Sequence, residues 1–120
     1  MASEGLHESA ELLDESTIDH HRALTSLVEE LEAVDWYDQR VKATTDSSLA
    51  DILAHNRDEE KEHACMTLEW LRRRDPALDR NLRTYLFTTE PVTEVEHETE
   101  ADAAAAAPGS LAIGSLKGSE

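Results

Sequence analysis

Residues 59 to 70 read EEKEHACMTLEW, and within them Glu60 and His63 stand three positions apart. At helical spacing, side chains at i and i+3 share a face, so a carboxylate and an imidazole placed this way can reach one ion. On a helical wheel the apolar stripe of this segment holds Leu49, Ile52, Leu53, Thr67, Trp70 and Leu71. Asn56, Glu60 and His63 fall in the middle of that stripe. Glu30 occupies a comparable position further up the chain, on the face shared by Ala23, Leu27, Val34 and Val41. A carboxylate turned toward a core is expensive unless something compensates its charge. A shared metal cation would do so for both carboxylates at once. Glu-x-x-His also occurs on ordinary solvated helix surfaces, so the spacing alone leaves that reading open.

Two long helical patterns must position these groups. The first runs from about Asp14 to Thr44, with Leu24, Leu27, Leu31, Val34 and Val41 at helical spacing. TTDSS interrupts it, and Asp46 or Ser47 can cap the next helix through a side-chain oxygen. The second runs from about Leu49 to Arg74 and ends before Pro76, which lacks an N–H and restricts the residue before it. A short third helix is expected over Ala77 to Leu86. Each long helix would span about 40 Å at 1.5 Å per residue. Two such helices enclose little core, and small helical chains usually rely on a metal or on oligomerisation. A dimer at least is expected.

The hairpin turn centres near Asp46 and Ser47, which brings Glu30 level with Glu60 and His63 in an antiparallel pair. Di-iron carboxylate sites in four-helix bundles take one Glu from each of two helices and a Glu-x-x-His from each of two others. This chain supplies half of that set. Two copies about a two-fold axis would supply four Glu and two His, enough for two metals.

Composition narrows the partners. The 120 residues suit one domain. Twenty-seven acidic residues against eleven Lys and Arg give a formal net charge of −16. That balance disfavours nucleic acid and anionic membranes, which attract basic surfaces, and favours cations; a plain acidic surface is the alternative. The single cysteine, Cys65, cannot form an internal disulfide. The acidic start MASEGLHESAELLDE lacks the basic and apolar regions of a signal peptide, and no stretch approaches the ~18 apolar residues of a membrane span. A cytoplasmic location is expected, including the inside of a larger assembly.

The domain reading follows: residues 1–10 a flexible N-terminus, 11–89 the helical hairpin domain, 90–108 an acidic, alanine-rich linker with few large apolar groups, and 109–120 a distinct tail. A short helix over the alanines of the linker is also possible. In the tail, Leu111, Ile113 and Leu116 can enter a groove on another protein, with the linker giving reach.

LVEELEAVDWYDQR, AHNRDEEKEHACMTLEWLRRR, LRTYLFT and the terminal SLAIGSLK together resemble the encapsulated ferritins, ferritin-like cargo of encapsulin nanocompartments. The resemblance spans roughly Glu11 to Thr89 and resumes at the tail. It implies an all-α fold: an antiparallel two-helix hairpin plus a short third helix, dimerising into a ferritin-like four-helix bundle, with a disordered C-terminal tail. It further implies an open ring of dimers, expected as a decamer, and a ferroxidase that oxidises Fe(II) to Fe(III) with dioxygen. Iron would bind at two sites per dimer interface, and the encapsulin shell protein, engaged by the C-terminal peptide, would hold the mineral. By motif, Glu30, Glu60 and His63 become the shared metal ligands, Glu29 and Glu32 an outer metal-uptake pair, and Trp36 and Tyr37 an aromatic pair near the site. No function is implied for Cys65.

Iron suits such ligands: carboxylates favour hard cations, imidazole accepts Fe(II), and a carboxylate-rich set stabilises Fe(III). Two neighbouring irons can deliver two electrons to one dioxygen. Tyr37 can hydrogen-bond a metal-bound carboxylate or act as a redox partner, and reads equally as a packed tyrosine; Glu29 and Glu32 read alternatively as a solvated face, and Trp36 and Trp70 as packing residues. His7, His20, His21, His55 and His97 show no ligand spacing. Other activities remain: peroxide removal at a di-metal site, or a non-catalytic adaptor whose acidic groups pair with Arg. Deleting residues 109–120 is expected to leave iron oxidation intact and to abolish loading into the shell. Co-expression with the shell protein followed by isolation of filled particles checks this, and normal loading of the truncated chain would refute it.

Overall fold

In a computed structural model the described residues are 5–106, with side chains described for residues 5–100. The expected targeting residues Leu111, Ile113 and Leu116, and the tail expected to be disordered, lie outside the described residues. So do residues 1–4 of the expected flexible N-terminus. After a short 3₁₀ turn at Ala10–Leu12 come four α-helices: α1 Glu15–Ala43, α2 Ser47–Arg72, α3 Pro76–Tyr85 and α4 Val92–Ala106. No described helix is long and apolar enough to cross a membrane. Two compact units divide the chain, one ending at Leu71 and one beginning at Arg72.

The helix ends follow side-chain chemistry. Asp14 caps α1 by accepting from the Thr17 N–H at 2.8 Å. Between the expected caps of α2, Asp46 takes the role: its Oδ1 accepts from Leu49 N–H at 2.9 Å. Thr44 Oγ1 in turn accepts from Asp46 N–H at 3.2 Å, which tightens the turn. Asp75 caps α3 through Leu78 N–H at 3.0 Å, with Pro76 as its first residue, where a missing N–H costs nothing. The three expected helices therefore appear with ends shifted by at most two residues.

In the first unit α1 and α2 form the hairpin. Arg57 Nη1 meets Asp38 Oδ1 at 3.0 Å, Thr67 donates to Glu30, and the His20 ring stands edge-on to Trp70 at 5.6 Å between centroids. As the α1 partners step back toward the N-terminus, the α2 partners step forward, so the helices are antiparallel. The wheel places Ala23, Leu27, Glu30, Val34, Tyr37 and Val41 on one face of α1, and all six are half-buried. A second apolar row, Leu24, Val28 and Leu31, lies about a quarter turn round and is exposed. On α2, Ala64 and Leu71 are buried while Leu49, Ile52 and Met66 are exposed. One chain thus leaves a second apolar stripe on each helix uncovered.

In the second unit, Asp79 of α3 accepts from Arg72 and, at 2.9 Å, from Arg83. Leu86 ends α3, and Phe87 follows in the left-handed region at φ 62°, almost fully exposed. Glycine usually takes that position after a helix. A side chain with a Cβ there costs about 1–2 kcal/mol.

Within the expected linker, Val92–Ala106 form α4, which extends the short helix allowed there over the alanines. Few large apolar side chains argue against an amphipathic helix but not against a helix. Alanine and glutamate have high intrinsic propensity. Pro91 O accepts from the N–H groups of Glu94 and Val95 at the start, and Glu94 suits the positive end of the helix dipole. Val95 is buried, and α4 packs on α3.

The Arg72 hydrogen bond, with that of Arg83, holds Asp79 below the 3.8 of an ordinary aspartate against the opposing effect of desolvation. The unfolded chain therefore takes up the proton first as pH falls. Asp79 stabilises the fold fully above pH ~4 and loses that contribution as pH drops through its lower folded value. Asp14, bonded to Thr17, and Asp58, bonded to Arg57, act in the same direction. Denaturant midpoints measured by circular dichroism are expected to fall below pH ~4, and less steeply in Asp79→Asn. Identical pH slopes for the two proteins would refute the assignment.

Candidate metal centre

Glu60 and His63 lie on α2 one turn apart, and the helix brings His63 Nδ1 to 3.5 Å from Glu60 Oε1. Their spacing, not a tertiary contact, makes this pair. The His63 side chain is 46% exposed and that of Glu60 28%. His63 therefore does not face the interior of its own hairpin. It stands in line with Ile52, eleven residues or about three turns before it, and Met66, three residues after it, on the exposed apolar row of α2. The apolar stripe read from the sequence is thus two adjacent rows: one with Leu53, Ala64 and Leu71, the other with Ile52, His63 and Met66.

Glu30 sits on the half-buried face of α1. Its Oε2 accepts from Thr67 Oγ1 at 3.4 Å, while Oε1 is buried with no hydrogen-bond partner. Thr67 is one turn beyond His63, so Glu30 reaches α2 slightly past the level expected for it. Among the described residues of one chain, no three His, Cys, Asp or Glu converge to hold a metal ion. An open cleft of about 510 Å³ runs beside Glu30, lined in part by Ala23, Ser26, Met66, Thr67 and Trp70.

Glu29 is exposed, whereas Glu32 is half-buried with its Oε1 also buried and without a partner. The two carboxylates expected to act as an outer pair therefore have different surroundings. Trp36 is exposed at 46%. Tyr37 is half-buried, and the Arg40 guanidinium lies 5.5 Å from its ring centroid. Cys65 is a free, exposed thiol. His20 Nδ1 lies 2.8 Å from Ser16 O, a local contact within its helix, and His97 stands 3.9 Å from Glu100.

A buried carboxylate oxygen with no donor carries a desolvation cost that nothing among the described residues offsets. A bound cation would offset it. The donor set, carboxylates with one imidazole, fits a divalent first-row metal, iron included. Thr67 is the residue that spacing alone did not assign: the wheel places it in the apolar stripe, and only the hairpin contact gives it a polar role.

The sequence profile of the EncFtn-like family matches residues 5–89. The chain is 58% identical over 127 aligned residues to an encapsulated ferritin-like protein of Rhodospirillum rubrum, covering 98% of this chain and 91% of that one. It is 58% identical over 93 residues to a ferritin-like protein of Thermotoga maritima, covering 78% and 82% respectively. Among solved structures, the crystal structure of protein ne0167 from Nitrosomonas europaea aligns with a TM-score of 0.73 at 60% identity, over 74% of this chain and 98% of that one. The chain belongs to the encapsulated ferritin family.

If Glu30 is retained for a ligand rather than for the fold, neutralising it should help the metal-free protein. Glu30→Gln is expected to raise the denaturation midpoint of the metal-free form, by up to roughly 1 kcal/mol. A lowered midpoint would show that the charged carboxylate has a stabilising partner within the protein.

Proposed function

We propose that the chain is a ferroxidase that oxidises Fe(II) to Fe(III) with dioxygen at a di-iron centre shared by two copies, inside an encapsulin nanocompartment. The orphaned Glu30 Oε1 carries this reading, because a buried oxygen without a donor is what a metal ligand looks like before the metal arrives. The exposed row of Ile52, His63 and Met66 supports the second copy. A partner hairpin laid on it would cover apolar surface and carry its own Glu30, Glu60 and His63 to the same place. Membership of a family of encapsulated ferritins, with a Rhodospirillum rubrum relative named as encapsulated and ferritin-like, supports both the iron chemistry and the compartment.

In that arrangement iron is the substrate. Two Fe(II) held together give up one electron each, so that dioxygen takes two electrons and, with two protons, leaves as hydrogen peroxide. The protein's own residues bind and orient. Glu30 and Glu60 supply negative charge that favours Fe(III) over Fe(II). His63 supplies a neutral nitrogen donor. Glu29, exposed on α1, and Glu32, half-buried one turn further, raise the local Fe(II) concentration through their negative potential. Tyr37 shares the half-buried face of α1 with Glu30, two turns further along. The terminal peptide with Leu111, Ile113 and Leu116 docks the cargo on the shell, and dimers close into a ring.

The test follows Fe(II) oxidation under air for wild type and Glu30→Ala, with native mass and iron content read on the same samples. Rapid oxidation by an iron-bound oligomer, reduced in the variant to the rate in buffer, is the expected result. Wild-type protein that neither binds iron nor exceeds the buffer rate would overturn the proposal and favour a non-catalytic adaptor.

A further inference from the structure

We propose that Thr67 is a positioning residue for Glu30, holding one carboxylate oxygen so that the other is presented to iron; this deepens the ferroxidase reading and rests on it. Thr67 Oγ1 donates to Glu30 Oε2 at 3.4 Å across the hairpin, and Oε1 of the same carboxylate is buried and partnerless. One oxygen is thus committed and one is free. The contact is long for two oxygens.

A threonine within a helix has an easier choice. Its hydroxyl can donate to the carbonyl four residues back, which needs no partner from elsewhere. Thr84 does this with Arg80 O at 2.9 Å, and Thr99 with Val95 O at 3.0 Å. The corresponding acceptor for Thr67 is the carbonyl of His63, yet its hydroxyl bonds to Glu30. The branched Cβ limits χ1 to few rotamers, so the choice also fixes where the hydroxyl hydrogen acceptor must sit. Thr67 lies on the same face as Glu60 and one turn beyond His63, so α2 contributes two candidate ligands and the group that aims the third. Ligand-orienting partners of this kind commonly govern metal affinity by an order of magnitude or more.

Co(II), which binds such donors without being oxidised by air on this timescale, is the probe. Full-length wild type, Thr67→Val, Thr67→Ser and Glu30→Ala are titrated with Co(II), and affinity and the visible d–d spectrum are recorded. Thermal midpoint and native mass are measured alongside. Thr67→Val, which keeps shape and removes the hydroxyl, is expected to bind about tenfold more weakly with an altered spectrum. Thr67→Ser, which keeps the hydroxyl, should return both toward wild type, and the two should share one native mass. If valine lowers the thermal midpoint, Thr67→Ala against Thr67→Ser carries the same comparison. Equal affinities and spectra for the hydroxyl-free variant and wild type, with binding lost in Glu30→Ala, would overturn the role of Thr67 alone. A wild type that binds no Co(II) would overturn this inference together with the ferroxidase reading.

Discussion

Two helices laid side by side can each bury one stripe against the other, and the rest of the surface must find another use. Everything else in this hairpin follows from that limit. Ala64 and Leu71 are the buried hydrophobic residues of the described hairpin, while Leu24, Val28, Leu31, Ile52 and Met66 face outward. Apolar area left in water contributes nothing to folding; covered by a second surface it contributes about 25 cal/mol per Å². The polar residues obey the same economy of position. Glu30 lies on the buried stripe, and His63 lies on the uncovered one. Within the described residues of one hairpin, no three such groups converge.

The local chemistry of the chain is consistent with this division. Asp14, Asp46 and Asp75 set the start of three successive helices by offering oxygens to N–H groups that have no partner within the helix. The Arg57 bond to Asp38 links the two helices at their exposed margin, and Thr67 and Trp70 meet α1 further along. These contacts fix the relative height of the helices to within about a turn. Height matters, because a carboxylate that slides by one turn, about 5.4 Å, meets a different set of neighbours.

Much of this was legible from residue types. The caps, the proline, and the 3.6-residue period located the helices because those signals are local. Glu30, Glu60 and His63 stood out because charged groups among apolar neighbours break a pattern. What one sequence could not show was how the stripe on α2 divides. A wheel reports angle, but not how wide a strip the partner helix covers, so His63 and Leu71 both fell in the stripe until the hairpin placed one in the open and buried the other. Thr67 was invisible for a related reason: a threonine in an apolar stripe breaks no pattern, and its role appears only when the residue opposite is known. The helix over the alanines stood only as one option, because the absence of large apolar groups gave no periodic stripe, while the helical preference of alanine and glutamate leaves no pattern that a wheel detects.

That last helix changes what kind of tether precedes residue 107. A flexible chain of fifteen residues has a root-mean-square span of about 5–6 Å times the square root of its length, roughly 21 Å. Fifteen residues of helix measure about the same, near 22 Å. The averages agree, but the distributions do not. A coil spends much of its time folded back on its anchor and loses entropy whenever its far end is caught. A rod keeps its two ends apart at all times and has almost no such entropy to lose. Whatever follows Ala106 is therefore carried at a set standoff from Val92, and capturing it leaves the spacer itself nearly as ordered as before.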